Sequence, residues 1–87
     1  MSLEALAKLS RRVEFDSAPF NFSMILEGKS WIIRDDRMYL KDVAGLVNGI
    51  SSGTWGFDIR EAEKGSFEEM FAIAQKLCEF NDRCDAF

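Results

Sequence analysis

The sequence predicts an α+β domain with a three- to four-stranded antiparallel sheet and two or three helices packed on it, in the order α-β-β-β-α-β-α. Apolar and polar residues alternate in residues 20–26 and 55–59, as in half-buried strands. Apolar residues recur every three or four positions in residues 43–50 and 66–80, as on one helix face. The 87 residues are 47% apolar, which suits one domain, spanning 1–87, with its own core.

The first predicted helix begins at Ser2, a favourable N-cap residue. Its apolar residues are Leu3, Leu6, Leu9 and Val13. We expect it to end in the segment EFDSAP, because Pro19 disfavours helical geometry at Ala18.

Residues 20–40 predict an antiparallel meander of three short strands. In FNFSMIL one face carries Phe20, Phe22, Met24 and Leu26. The turn EGK follows, in which Gly28 can take a positive φ. The second predicted strand is SWIIR, and the third is MYL, which follows the charged turn DDR.

The stretch GLVNGISSG, residues 45–53, has a glycine at every fourth position. A phosphate-binding loop of the Walker type needs a lysine beside it, and no Lys or Arg lies between Lys41 and Arg60. We therefore predict a short helix, N-capped by Asp42, with Gly49 or Gly53 as its left-handed C-terminal residue. Its apolar stripe is Val43, Leu46, Val47 and Ile50.

The last third of the chain predicts a strand followed by the longest helix. The strand WGFDIR places Trp55, Phe57 and Ile59 on one face, which we expect to be core. Ser66 and Glu69 have the spacing of a capping box, so a helix begins there and continues through the segment ending at Arg83. Its apolar face comprises Phe67, Met70, Phe71, Ala74, Leu77, Cys78 and Phe80.

The two cysteines, Cys78 and Cys84, are six residues apart. On one continuous helix they would point about 240° apart and lie about 9 Å apart along the axis, too far for a disulfide. We therefore expect free thiols. Free thiols and the lack of a recognisable secretory signal favour a cytoplasmic protein, and no apolar run reaches the ~20 residues of a membrane span.

Enzymatic chemistry finds little support in the sequence. Without histidine, the usual general base and the commonest transition-metal ligand are missing, so we expect no catalytic, cofactor or metal site. Asp16 followed by Glu27-Gly28-Lys29 loosely resembles the D…E-x-K arrangement of Mg²⁺-dependent nucleases. Short matches of this kind arise by chance, and this one falls on a predicted turn.

Charge is unevenly distributed along the chain. Residues 1–41 carry a net charge of +1 and residues 42–87 a net charge of −5. We therefore predict a non-catalytic module that binds a basic surface of another protein, as small acidic inhibitors, immunity proteins and anti-defence factors do. Such factors are associated with mobile elements and phages. The predicted contact residues are Asp58, Glu61, Glu63, Glu68 and Glu69, with Tyr39 and Phe87 as exposed aromatics.

The alternative prediction is a DNA-binding regulator with a helix-turn-helix-like segment around residues 37–50. Arg34, Arg37 and Lys41 would then contact backbone phosphates. The following SSGTWGFDIREAE is a poor recognition helix, because it is glycine-containing and acidic. Nucleic acid is thus the less favoured partner. An exposed apolar helix face would also suit a homodimer, so monomer and homodimer both stay open.

Overall fold

The structure is a computed structural model that describes residues 3–18, 21–81 and 83–86. Predictions that fall on Ser2, Pro19, Phe20 and Phe87 lie outside the described residues. The helices are α1 (Leu3–Ser10), α2 (Ala44–Val47) and α3 (Phe67–Cys78), with a 3₁₀ turn, η1, at Ile59–Glu61. The strands are β1 (Arg12–Ala18), β2 (Phe22–Glu27), β3 (Ser30–Arg34), β4 (Tyr39–Asp42), β5 (Thr54–Gly56) and β6 (Arg83–Ala86).

The described strands form one antiparallel sheet in the order β5-β4-β3-β2-β1-β6. Strands β1 to β5 are a meander in chain order, and β6 returns to pair with β1. The α+β class and the antiparallel meander are confirmed. The predicted strand count and element order are wrong, because β1 and β6 were not expected.

Strand β1 is formed by residues that the sequence predicted to be the second half of the first helix. Arg11 has φ 63°, a left-handed conformation that ends α1, and the chain then extends. Val13, Phe15 and Ser17 are buried while Glu14 and Asp16 between them are exposed, the pattern of a strand with one face in the core. Consequently α1 buries Ala7, whereas Leu6 and Leu9, expected on its inner face, are 51% and 74% exposed.

The core lies between the sheet and α3. The buried residues of the sheet include Val13, Phe15, Phe22, Met24, Trp31, Ile33 and Leu40, and those of α3 are Phe67, Met70, Ala74 and Leu77. The aromatic members form a continuous chain, with centroid distances of 5.4 Å (Trp31–Phe67), 5.5 Å (Phe67–Phe71), 5.9 Å (Phe71–Phe15) and 4.7 Å (Phe15–Phe22). The predicted inner face of the long helix is thus confirmed for Phe67, Met70, Ala74 and Leu77, with Phe71 and Cys78 partly buried. The prediction was wrong for Phe80, which follows the end of the helix and is 38% exposed.

The N-terminus of α3 is fixed by side-chain and backbone hydrogen bonds. Ser66 Oγ accepts from the Glu69 amide at 3.1 Å, and Glu69 Oε1 accepts from the Ser66 amide at 3.2 Å. This is the predicted capping box. Immediately before it, Gly65 and Trp31 exchange two backbone hydrogen bonds of 2.8 and 3.2 Å, which tie the start of the helix to β3.

The C-terminus of α3 corrects the prediction for the cysteines. The helix ends at Cys78, and the amides of Phe80 and Asn81 bond the carbonyls three residues back, so the chain turns and returns as β6. Cys84 then lies on β6, opposite Ser17. With their Cα atoms 5.4 Å apart, Cys78 and Cys84 form a disulfide. The expectation of free thiols was wrong because it assumed one helix through both residues.

The glycine stretch forms the end of α2. The Ile50 amide bonds the Gly45 carbonyl at 2.8 Å and the Gly49 amide bonds the Leu46 carbonyl at 3.0 Å, with Gly49 at φ 72°. This pair of bonds is a Schellman motif, so the prediction of a left-handed C-terminal glycine is confirmed.

The predicted apolar stripe of this helix is not the buried one. Helix α2 is a single turn that buries Leu46, while Val47 and Ile50 are 56% and 79% exposed. Asp42 does accept from the Ala44 amide at 3.0 Å, although Val43 occupies the N-cap position.

Removal of the disulfide should lower the free energy of unfolding. The disulfide closes a short loop between Cys78 and Cys84, which lowers the conformational entropy of the unfolded chain and stabilises the fold by about 2 kcal/mol. We expect the free energy of unfolding of the Cys78→Ser/Cys84→Ser variant, measured in urea, to be lower than that of the wild type by this amount. Alkylation of two thiols in the unreduced, denatured wild type would contradict the disulfide.

Gly53 should tolerate alanine less well than Gly49. Both residues have positive φ, 86° and 72°, so alanine costs about 1–2 kcal/mol of backbone strain at either position. A Cβ at Gly53 would also lie 2.6 Å from Leu40 Cδ1 and 3.1 Å from the Asp42 carbonyl oxygen, whereas none of the described atoms approaches one at Gly49 within 4 Å. We expect Gly53→Ala to be destabilised by about 1–3 kcal/mol more than Gly49→Ala in urea unfolding. Equal stability of the two variants would contradict the packing at Gly53.

Candidate interaction surface

The acidic segment, defined as residues 58–69, runs from the end of β5 at one sheet edge to the first turn of α3. It contains five carboxylates and two basic residues. The predicted acidic contact residues therefore lie in one continuous stretch of the chain, in which η1 is the only described element before the helix.

Asp58 and Arg60 form a paired turn at the start of this segment. Asp58 caps η1 by accepting from the Arg60 amide at 2.9 Å, and its two carboxylate oxygens accept from Arg60 Nε at 3.1 Å and Nη2 at 2.9 Å. The side-chain hydrogen bonds from Arg60, followed by the backbone one, lower the pKa of Asp58. The same pairing raises the pKa of Arg60.

Two further carboxylates of the segment are engaged within the protein. Glu61 lies 3.6 Å from Lys41 Nζ, and Glu69 belongs to the capping box. Among the described residues, Glu63 and Glu68 have no side-chain hydrogen bond or ion pair. Glu68 is exposed and Glu63 is half-buried, so these two carboxylates are the ones available to a partner.

Phe57 and Ile59, predicted on the inner face of a strand, lie outside β5, and Ile59 belongs to η1. Phe57 was expected in the core, but it is 76% exposed and immediately precedes the acidic segment. Strand β5 ends at Gly56, so the alternation that places Trp55 inward does not continue to Phe57. The Asp58-x-Arg60 turn beside it is the local signal that could have indicated the end of the strand.

Tyr39 and the basic residues lie on the sheet face opposite the helices. Arg34 pairs with Tyr39 across β3 and β4, and its guanidinium carbon lies 5.6 Å from the ring centroid. Arg34 also donates to the Asp35 and Asp36 carbonyls at 3.1 Å each. Lys41 shares this face but is paired with Glu61, and Arg37 is exposed in the turn. Tyr39 is half-buried.

The predicted helix-turn-helix geometry is not formed. In the described part of the chain, α2 is followed by a loop, β5 and η1, and the next α-helix is α3 at Phe67. The segment around residues 37–50 is thus a turn, a strand and one helical turn, with no recognition helix behind it.

A polar groove crosses the sheet face opposite the helices, with a volume of about 630 Å³. Among its lining residues are Arg12, Glu14, Asp16 and Arg34, and Arg12 is ion-paired with Glu14. The nuclease-like arrangement does not assemble here. The β1–β2 register places Asp16 level with residue 21, six residues from Glu27, a separation of about 20 Å along the strand.

No protein-family model, curated protein or solved structure matches this chain. In the described ranges, no cluster of three or more Cys, Asp or Glu side chains is placed to hold a metal ion. Nor does any helix there have the length and apolar character to cross a membrane.

The pKa of Asp58 should rise when its partner is removed. Because the folded-state pKa lies below the ordinary value, the stabilising contribution is present above the ordinary pKa of about 3.9 and is lost as the pH falls through the folded value. We expect Arg60→Gln to raise the pKa of Asp58, measured by ¹³C NMR titration of its carboxyl carbon. Lys64→Gln is the control, and an unchanged titration in Arg60→Gln would contradict the pairing.

Proposed function

We propose that this protein is a non-catalytic protein-binding module of the inhibitor, immunity or anti-defence kind, which masks a basic surface of its partner. The observation that carries the proposal is the exposed Phe57 beside the acidic segment. A single exposed apolar residue is ordinary on a protein surface. Aromatic residues are enriched in protein interfaces, and the carboxylates that follow Phe57 in the chain are complementary in charge to a basic partner.

The mechanism has an electrostatic and an apolar component. The carboxylates of the acidic segment attract the partner and orient it during approach. Phe57 then buries its ring in the partner and supplies most of the binding free energy, as central aromatic residues do in protein interfaces. Glu63 and Glu68 can pair with cations of the partner without breaking a contact of the fold.

Phe57→Ala should weaken the captured complex about tenfold or more, the effect of losing an aromatic hot spot. Partner capture from native lysate with mass spectrometry identifies the partner, and its affinity for each variant is then measured with purified proteins. Leu9→Ala, which truncates a side chain exposed to a similar degree on α1, is the control and should leave the affinity unchanged.

Charge reversal at Glu63 and Glu68 should slow association and reduce its dependence on salt. The double reversal of Glu27 and Asp36, two exposed carboxylates outside the acidic segment, is the matched control. If Glu63→Lys/Glu68→Lys associates like the wild type, the proposed acidic interface is wrong.

The alternative of a DNA-binding regulator has a separate test. It requires that the wild type shift the electrophoretic mobility of duplex DNA in low salt, and that this shift be lost when Arg34, Arg37 and Lys41 are changed to Glu. We expect no duplex shift with the wild type, because two of these three side chains are occupied within the protein. The oligomeric state, monomer or homodimer, is given by the mass in solution.

The compartment depends on the state of the cysteines. Free thiols were one of the two supports of the cytoplasmic expectation, and the Cys78–Cys84 disulfide removes that one, because disulfides persist mainly in oxidising compartments. Thiol alkylation at the moment of cell lysis distinguishes a reducing from an oxidising location.

A further inference from the structure

A second, apolar cavity opens on the helix side of the sheet, beside the end of α3. Its volume is about 140 Å³. Its apolar walls are Phe22, Met38, Trp55, Leu77 and Phe80. We call this cavity the aromatic socket. It shares Asn21, Phe22 and Asp35 with the polar groove, which lies mainly along the opposite face of the sheet.

The walls of the socket are held by contacts of the fold. Trp55 Nε1 donates to the Ser52 carbonyl at 3.0 Å, which fixes the indole ring. Phe22 stacks on Phe15 at 4.7 Å, and Leu77 is buried on α3. Phe80, which follows the helix, is 38% exposed and forms the accessible side. A site with its walls already ordered binds with less loss of conformational entropy.

The volume of the socket matches one aromatic ring. Apolar protein cavities of about 150 Å³ stay dry and bind benzene. A phenyl group has the dimensions of benzene, and the ring edges and the methionine sulfur of the walls make favourable contacts with an aromatic guest.

Among the described residues that line the socket, Asp35 at its rim is the only charged one. Asp35 Oδ1 accepts from the amides of Arg37 and Met38 at 3.0 and 2.7 Å. Its Oδ2 has no hydrogen-bond partner among the described residues. A cation next to the bound ring can therefore pair with Oδ2 without disturbing the turn.

We propose that the aromatic socket receives a phenylalanine side chain from a partner polypeptide in which a lysine or arginine adjoins that phenylalanine. This inference rests on the proposed protein-binding function, since the peptide belongs to the partner, and it specifies the sequence chemistry of the bound segment. A second copy of this chain is the less suitable occupant. Its exposed Phe57 is followed by Asp58, which would bring another carboxylate to the rim at Asp35.

The test uses a small probe and does not need the partner. N-acetyl-phenylalanyl-arginine amide is titrated into the full chain, and the Trp55 Nε1–H and Met38 methyl signals are followed by NMR. We expect both signals to shift and to saturate at millimolar probe. N-acetyl-phenylalanyl-glutamate amide should bind about threefold more weakly, the size of effect expected of one exposed ion pair. N-acetyl-alanyl-arginine amide should shift neither signal.

Three variants assign the effect to the socket. Asp35→Asn keeps the Oδ1 acceptor, so we expect it to bind the phenyl group and to lose the preference for arginine over glutamate. Phe80→Ala removes a half-exposed wall and should weaken probe binding, with the amide spectrum reporting that the fold is retained. Leu9→Ala, at an exposed residue of α1 outside both candidate sites, is the control and should bind the probe like the wild type.

Two outcomes overturn the socket proposal. One is the absence of shifts at Trp55 and Met38 with the phenylalanyl-arginine probe. The other is a homodimer in solution that Phe57→Ala dissociates, since the occupant would then be a second copy. A probe that does not bind would not contradict the proposed acidic interface. That interface is tested separately, by the affinity of the Phe57 and Glu63/Glu68 variants for the captured partner.

Discussion

The packing of α3 on the sheet through a chain of five aromatic rings is the interaction on which the rest of the fold depends. Rings pack well only at particular offsets and angles, so the helix must hold a fixed position along the strands. Both ends of α3 are accordingly attached. The backbone bonds between Gly65 and Trp31 hold its start to β3, and the disulfide holds its end to β6. Strand β6 in turn pairs with β1, which carries Phe15 of the same chain of rings.

The dimensions of α3 explain where the surface features arise. Its 12 residues span about 18 Å, whereas six strands extend about 24 Å from one edge strand to the other. The helix contacts β2 and β3. On the β4–β5 side, Leu46 of α2 belongs to the same core cluster as Leu40, and Trp55 packs against that cluster. Helix α2 is a single turn whose buried residue is Leu46, so it covers little of the sheet surface. The aromatic socket lies where the cover from α3 ends and the loop after α2 begins.

Features set by neighbouring residues could be predicted from the sequence. The capping box at Ser66, the left-handed glycine after α2 and the meander through β2, β3 and β4 depend on residues a few positions apart. The boundary between α1 and β1 could not be predicted from the sequence, because Val13 fits both the helical spacing from Leu9 and the strand alternation with Phe15. The positive φ at Arg11 decides between them, and arginine carries no signal for that conformation.

Features set by distant residues were missed. Strand β6 has no apolar alternation of its own and exists through its pairing with β1, some 70 residues earlier in the chain. The disulfide follows from the same return of the chain. In the acidic segment, composition indicated the five carboxylates, but the pairing of Glu61 with Lys41 depends on two residues twenty positions apart. Sequence alone therefore could not separate the engaged carboxylates from Glu63 and Glu68.

The edge strand β5 links the two candidate contact sites and limits how they can act. It is three residues long and is followed, after Phe57, by the Asp58–Arg60 pair. A strand this short, ended by charged side chains, offers few backbone groups to an added strand. Recognition by strand addition is therefore disfavoured at this edge, and side chains must make the contacts. Trp55 on β5 lines the socket, and Phe57, two residues later, is exposed beside the carboxylates. The early end of β5 is thus the structural reason that an aromatic ring is available at this edge.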